Sequence, residues 1–160
     1  MSSRDSQRKL GAFGEKIAAN WFALNGYEYQ MSEDKFDSKK DLIVTKDGES
    51  YTVEVKTQPA YNEEDYVSIR LDQLQKCQNC DILVFITTPM IDYPDYPYNG
   101  CILLPETPKK LKFKQYIKPW GDMIGFYIQK NLDEGTLLLV ERIEDEKVLK
   151  RLSKLRTKRN

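Results

Sequence analysis

The stretch Asp41–Lys56, DLIVTKDGESYTVEVK, constrains this chain most. Asp47-Gly48 sits between two strand-like runs, Leu42–Val44 and Tyr51–Val55. Gly tolerates the positive φ of a two-residue hairpin turn, and Asp-Gly is a strong signal for one. Such a turn fixes the register. Lys46 faces Glu49, Val44 faces Tyr51, Leu42 faces Val53, and Asp41 faces Glu54. Alternation sends Leu42, Val44, Tyr51, Val53 and Val55 to one face, the expected core side. It sends Asp41, Glu54 and Lys56 to the other. A three- or five-residue loop would shift this pairing.

Two carboxylates directly opposite on one sheet face have Cβ atoms about 5 Å apart and repel each other. A divalent cation between them reverses the sign of that interaction. Hard cations such as Mg²⁺ are held by one or two carboxylates plus waters and substrate phosphate. A lysine two residues on, on the same face, can orient or activate a water there. That is a site for metal-assisted phosphodiester hydrolysis. The competing reading is a solvated polar face on an edge hairpin. The chain has no histidine, which excludes Ser-His-Asp triads, Cys-His proteases, HExxH zinc hydrolases and histidine-dependent nucleases. Carboxylate and lysine chemistry remain.

Asp41, twelve intervening residues, then Glu54-Val55-Lys56 resembles the PD-(D/E)XK nuclease superfamily. Gly14-Glu15 in a helix, followed by Asn25-Gly26-Tyr27, looks like the archaeal Holliday-junction resolvase branch. The resemblance covers roughly residues 8 to 88, about half the chain. Lys40 stands where the family pattern has proline. The resemblance implies an α/β, restriction-endonuclease-like core, a central mixed sheet flanked by helices. It implies a metal-dependent DNA hydrolase in which Asp41 and Glu54, joined by the Val55 carbonyl, hold Mg²⁺ or Mn²⁺. Lys56 would position the attacking water, and Glu15 would assist at the metal. Superfamily members often carry a glutamine on the helix after the ExK strand. Gln73 is the better match and Gln75 the alternative, against a plain surface glutamine.

The activity implied is that of an endonuclease acting on DNA, branched or junction DNA included. Cleaving both strands of a junction calls for a symmetric homodimer. Two alternatives stand beside it. One is a non-catalytic nucleic-acid-binding or assembly protein that keeps the fold. The other is an RNA-directed nuclease, because the 2′-OH contact that separates the substrates is not legible in one chain.

A chain of 160 residues fits one domain, with a core at about 8–88 and a C-terminal elaboration at about 89–160. Formal net charge is zero, so a nucleic-acid partner needs a local basic patch. The opening residues are polar, and no apolar run approaches the ~20 residues of a membrane helix. A cytoplasmic protein with no membrane association and no organic cofactor is expected. The three cysteines, Cys77, Cys80 and Cys101, read as reduced thiols. Cys77-x-x-Cys80 lacks the further ligands that a zinc site needs.

Helical spacing of Leu10, Phe13, Ile17, Trp21 and Leu24 predicts a helix from about Asp5 to Asn25. Glu15 projects between Phe22 and Ala19, on a second, largely apolar side. A carboxylate there needs a metal or a lysine, unless that side is exposed. The polar loop Ser32–Lys40 offers Lys35, Lys39 and Lys40 to phosphates, or simply to solvent. Tyr66–Arg70 reads as a strand; lying beside the Glu54 strand, it would let Thr57, Ser68 or Arg70 reach the scissile phosphate. Leu71–Asn79 reads as a short helix and Asp81–Thr88 as a buried strand.

Tyr93, Tyr96 and Tyr98 fall in a Tyr/Pro-rich loop that fits base stacking or plain packing. Lys109–Lys118 fits a phosphate-binding face with Phe113 and Tyr116 inward, or an ordinary amphipathic strand with solvated lysines. Met123–Gln129 and Thr136–Glu141 are strand-like and either extend the sheet or make a second one. The tail from Lys147 has seven basic residues and no acidic one. It reads as a basic amphipathic helix in which Lys150, Arg151, Lys154 and Arg156 meet nucleic acid, or in which the basic face meets Glu144–Glu146 or another subunit.

Overall fold

The computed structural model describes residues 3–31, 42–59, 66–90, 92–115 and 122–157. Helix α1 spans Ser3–Leu24 and is followed by strand β1, Glu28–Met31. Strands β2, Leu42–Lys46, and β3, Glu49–Pro59, form the hairpin. Its turn has φ 52° at Asp47 and 81° at Gly48. The register is the expected one: Lys46 opposite Glu49, Val44 opposite Tyr51, Leu42 opposite Val53.

Strand β4, Tyr66–Arg70, leads into a 3₁₀ turn at Leu71–Gln73, helix α2, Leu74–Asn79, and strand β5, Ile82–Thr88. The C-terminal half adds β6, Cys101–Pro105, β7, Lys114–Gln115, and β8, Met123–Tyr127. Helix α3, Ile128–Glu134, strand β9, Leu137–Arg142, and helix α4, Glu146–Thr157, complete the elements of the described residues. The described residues thus make an α/β fold with a mixed central sheet, in the order β1-β2-β3-β5-β6-β9. Within it β3 and β5 run parallel, while the remaining neighbours are antiparallel. A second, antiparallel sheet has the order β4-β8-β7.

Two apolar clusters sandwich the central sheet. On one face Val53, Val55, Val84 and Ile86 meet Ala18, Ala19 and Phe22 of α1 and Leu152 and Leu155 of α4. On the other face Leu83, Phe85 and Leu103 meet Val67, Ile69, Cys77, Ile124 and Phe126. Phe85 and Phe126 touch edge-to-face, with ring centroids 4.9 Å apart, and so join the two sheets. Asp81 fixes the start of β5 against β3. Its carboxylate accepts from the Thr52 backbone N–H at 2.9 Å, and its own N–H donates to the Thr52 hydroxyl at 3.1 Å.

Of the apolar stripe on α1, Leu10 is buried and Phe13, Ile17 and Trp21 pack against the same cluster, but Leu24 does not. Leu24 is 77% exposed, whereas Ala18, Ala19 and Phe22 are buried. The sheet-facing side follows the small residues because they let the helix come close. Gly14 shows how close: a Cβ there would lie 1.7 Å from Thr57 Oγ1.

Three further expectations are corrected. Strand β4 does not lie beside β3; β3 is flanked by β2 and β5, and β4 pairs with β8. The KNLDEG segment is not a loop between strands but belongs largely to α3, which ends on Gly135 at φ 77°. Lys109–Lys118 is not one strand: Pro108–Lys110 is a 3₁₀ turn and β7 holds just Lys114–Gln115. Pro108 pre-sets the turn's φ. Phe113 does turn inward, edge-to-face with Phe126 at 5.9 Å; Tyr116 lies outside the described residues. Of the two sequence options for the late strands, both occur: β9 extends the central sheet and β8 sits in the second. Among the described residues, no helix is long and apolar enough to cross a membrane.

Candidate active site

Strand alternation places Glu54 and Lys56 on the sheet face opposite α1. Their partners on β5 are Leu83 and Phe85, both buried. Glu54 is therefore a carboxylate set among apolar neighbours, and it is 0% exposed. Such a charge is costly unless compensated. Two lysines compensate it. Lys56 Nζ lies 3.4 Å from Glu54 Oε2, and Lys76 Nζ lies 3.3 Å from Glu54 Oε1. Both lysine side chains keep about a fifth of their surface in solvent, at 22% and 21%.

Gln73 completes the cluster. Its Oε1 accepts a hydrogen bond from Lys56 Nζ at 3.1 Å. The 3₁₀ turn and α2 thus carry two site residues, Gln73 and Lys76, three positions apart. That spacing puts both on one side of a helical segment. Gln73 was the expected glutamine; Gln75 is exposed. Lys76 escaped the sequence reading, although its i, i+3 relation to Gln73 was the signal available.

Cys80 closes one side of the cluster. Its thiol donates to the Cys77 carbonyl at 3.2 Å. Burial, with Cys77 and the Glu54 carboxylate adding to it, pushes the Cys80 thiol up to about 12. It is a protonated wall residue rather than a nucleophile. All three cysteines are free thiols.

Glu15 lies in α1, one residue after the Gly14–Thr57 contact, and is half-buried. It shares the helix row of Ala19 and Phe22, which are both buried against the sheet. Val55 points its side chain into the α1-side cluster and pairs with Val84 of β5. Arg70 does not join the site. It is exposed and forms an ion pair with Asp72 at 2.7 Å. Strand β4 reaches β3 through a side chain instead: the Ser68 N–H donates to Gln58 Oε1 at 3.1 Å.

Asp41 lies outside the described residues, as do Lys35, Lys39 and Lys40. The last described rung of the hairpin on that side pairs Leu42 with Val53. Among the described residues no group of three or more Cys, Asp or Glu side chains could hold a metal. Lys150, Arg151 and Lys154 are exposed on α4, on the α1 side of the sheet, and Arg151 lies 5.9 Å from the Phe13 ring centroid. The Arg156 side chain is outside the described set. In the Tyr/Pro loop Tyr98 is buried and Tyr96 packs edge-to-face on it at 5.6 Å. Of the three tyrosines, Tyr93 is the exposed one.

No family model matches this chain, and neither does any curated protein.

Proposed function

We propose that the chain is a Mg²⁺- or Mn²⁺-dependent endodeoxyribonuclease with a restriction-endonuclease-like core. The observation that carries the reading is the wholly buried carboxylate of Glu54 with Lys56 two residues on, held by Gln73. A fold seeking stability alone would gain from an apolar residue at position 54, because a buried ion pair seldom repays its desolvation.

The donor set fits a hard cation. Glu54 supplies carboxylate oxygen, and Asp41 stands one residue before β2 in the sequence. Asp41, Glu54 and the Val55 carbonyl would hold the ion. When bound, such an ion supplies Lewis-acid polarisation of the scissile phosphate. The chain's own groups do the rest. Lys56, restrained by Gln73, orients the attacking water with its ammonium. Lys150, Arg151, Lys154 and Arg156 contact phosphates away from the reacting bond, as do Lys35, Lys39 and Lys40. Branched DNA is the substrate proposed first, with two copies of the chain acting on the two strands.

One observation favours a second reading. Lys56 and Lys76 already balance Glu54, so the cluster also serves a non-catalytic nucleic-acid-binding or assembly protein. The deciding experiment compares wild type with Asp41→Ala and Glu54→Ala. The substrates are a plasmid, a four-way junction, a flapped duplex and a single-stranded RNA, each with Mg²⁺, Mn²⁺ or EDTA. Metal-dependent cleavage of DNA lost in both variants is expected. Binding without cleavage, unchanged in the variants, would replace the nuclease with the binding protein. Cleavage confined to RNA would change the substrate class.

A further inference from the structure

Glu54 carries more positive charge than one lysine-assisted carboxylate needs. Its two oxygens are divided between two ammonium groups, Lys56 on Oε2 and Lys76 on Oε1. The two lysines are not equivalent. Lys56 rises from the same strand as Glu54 and is also tied to Gln73 at 3.1 Å. Lys76 comes from a six-residue helix on the neighbouring layer, and both side chains keep about a fifth of their surface in solvent. A cation that takes Oε1 must displace Lys76 from it.

Resting on the nuclease reading, we infer that Lys76 is a built-in counter-cation: it holds Glu54 Oε1 in the metal-free protein and is displaced when a divalent cation binds. The exchange raises the local charge by one and never leaves the buried carboxylate without a cation on Oε1. One ammonium leaves as one dication arrives, so the site stays folded without metal. The cost of removing Lys76 from Glu54 is subtracted from the metal's affinity. Displaced Lys76 then stands at the rim of the site, able to meet a phosphate oxygen.

The test uses the full chain and Mn²⁺ as the probe, and reads binding rather than cleavage. Calorimetry should show Lys76→Met binding Mn²⁺ about tenfold or more tighter than wild type, with Lys76→Arg close to wild type. Without metal, Lys76→Met should melt about 6 °C or more below wild type, since it leaves Glu54 one cation short. Saturating Mn²⁺, or adding Glu54→Gln, should recover that loss. In the wild type, Mn²⁺ should raise acetylation of Lys76 by an amine-reactive ester several-fold, read by peptide mass spectrometry, and leave Lys56 protected. This last measurement needs no variant to fold. Wild type that binds Mn²⁺ with Lys76 labelling unchanged, or Lys76→Met that binds it no tighter, would overturn the inference and leave the nuclease reading standing. Failure of every variant to bind Mn²⁺ at millimolar concentration would remove the metal reading, and this inference with it.

Discussion

Gln73 Oε1 accepts a hydrogen bond from Lys56 Nζ at 3.1 Å, so a residue of the 3₁₀ turn sets the position of a residue of β3. The contact spans 17 positions of sequence and bridges two layers of the fold. It removes one of the lysine's soft rotations and aims the ammonium across Glu54. Gln73→Leu should therefore lower the cleavage rate about tenfold, the rate equivalent of one hydrogen bond of about 1.4 kcal/mol. Substrate affinity should change little. Single-turnover kinetics on the cleaved substrate check both.

Glu54→Ala should abolish cleavage and also destabilise the protein. It leaves Lys56 and Lys76 facing each other beside Leu83 and Phe85. A fully buried pair broken this way costs about 3–5 kcal/mol. Both lysines still reach water, so a loss of about 1–3 kcal/mol is expected. Urea unfolding in EDTA measures it. Glu54→Ala combined with Lys56→Met and Lys76→Met should recover most of the loss.

The approach of α1 to β3 rests on Gly14. Gly14→Ala would put a methyl group 1.7 Å from Thr57 Oγ1, so one element must move. Overpacking of this kind costs about 1–3 kcal/mol. Thr57→Ala in the same chain should recover part of it. The Thr57 hydroxyl is itself buried without a hydrogen-bond partner among the described residues. Thr57→Val alone should accordingly be neutral or stabilising by up to about 1 kcal/mol. Thermal melts of the four chains settle the order.

Cys80 gives a pH signature. The native thiol keeps its proton to about pH 12, against an ordinary value of 9.0. Between those values the unfolded chain binds fewer protons than the native one, so stability falls as pH rises. Below about 9 the contribution is fully present. Stability measured by urea should fall less between pH 9 and 11 in Cys80→Ala than in wild type. At pH 8, native Cys80 should alkylate at least about tenfold more slowly than the same thiol in urea.

Lys150, Arg151 and Lys154 line the exposed side of α4 while Leu152 and Leu155 face the core. Replacing all three with alanine should weaken binding to any duplex and flatten its salt dependence. Loss of three phosphate contacts lowers the slope by about 0.9 for each. Fluorescence anisotropy across a salt series tests this, and the fold should be unaffected.

Local chemistry carried much of this molecule in plain view. Asp47-Gly48 determined a turn, the turn determined a register, and the register determined that Glu54 and Lys56 share a face opposite Val53 and Val55. Each step has a period of two and needs no distant partner. Five successive apolar residues likewise announced β5 as a central strand. Gln73 was reachable through its place after the ExK strand.

Contacts between layers were a different matter. Lys76 meets Glu54 because the crossover from β3 to β5 folds α2 over the sheet, and nothing local reports where a lysine's long stem will reach. Arg70 looked equally available, but β4 pairs with β8, 53 or more positions away, and Arg70 is left beside Asp72. Helix α1 presented two apolar sides to choose between. The buried side is that of Gly14, Ala18, Ala19 and Phe22 because backbone approach, not side-chain bulk, decided the contact with Thr57. The sequence by itself determined the hairpin and the pair of charges on it, through short-range sterics and alternation. The tertiary structure alone decided which distant cations would surround the buried Glu54 carboxylate, because that depends on how whole layers stack.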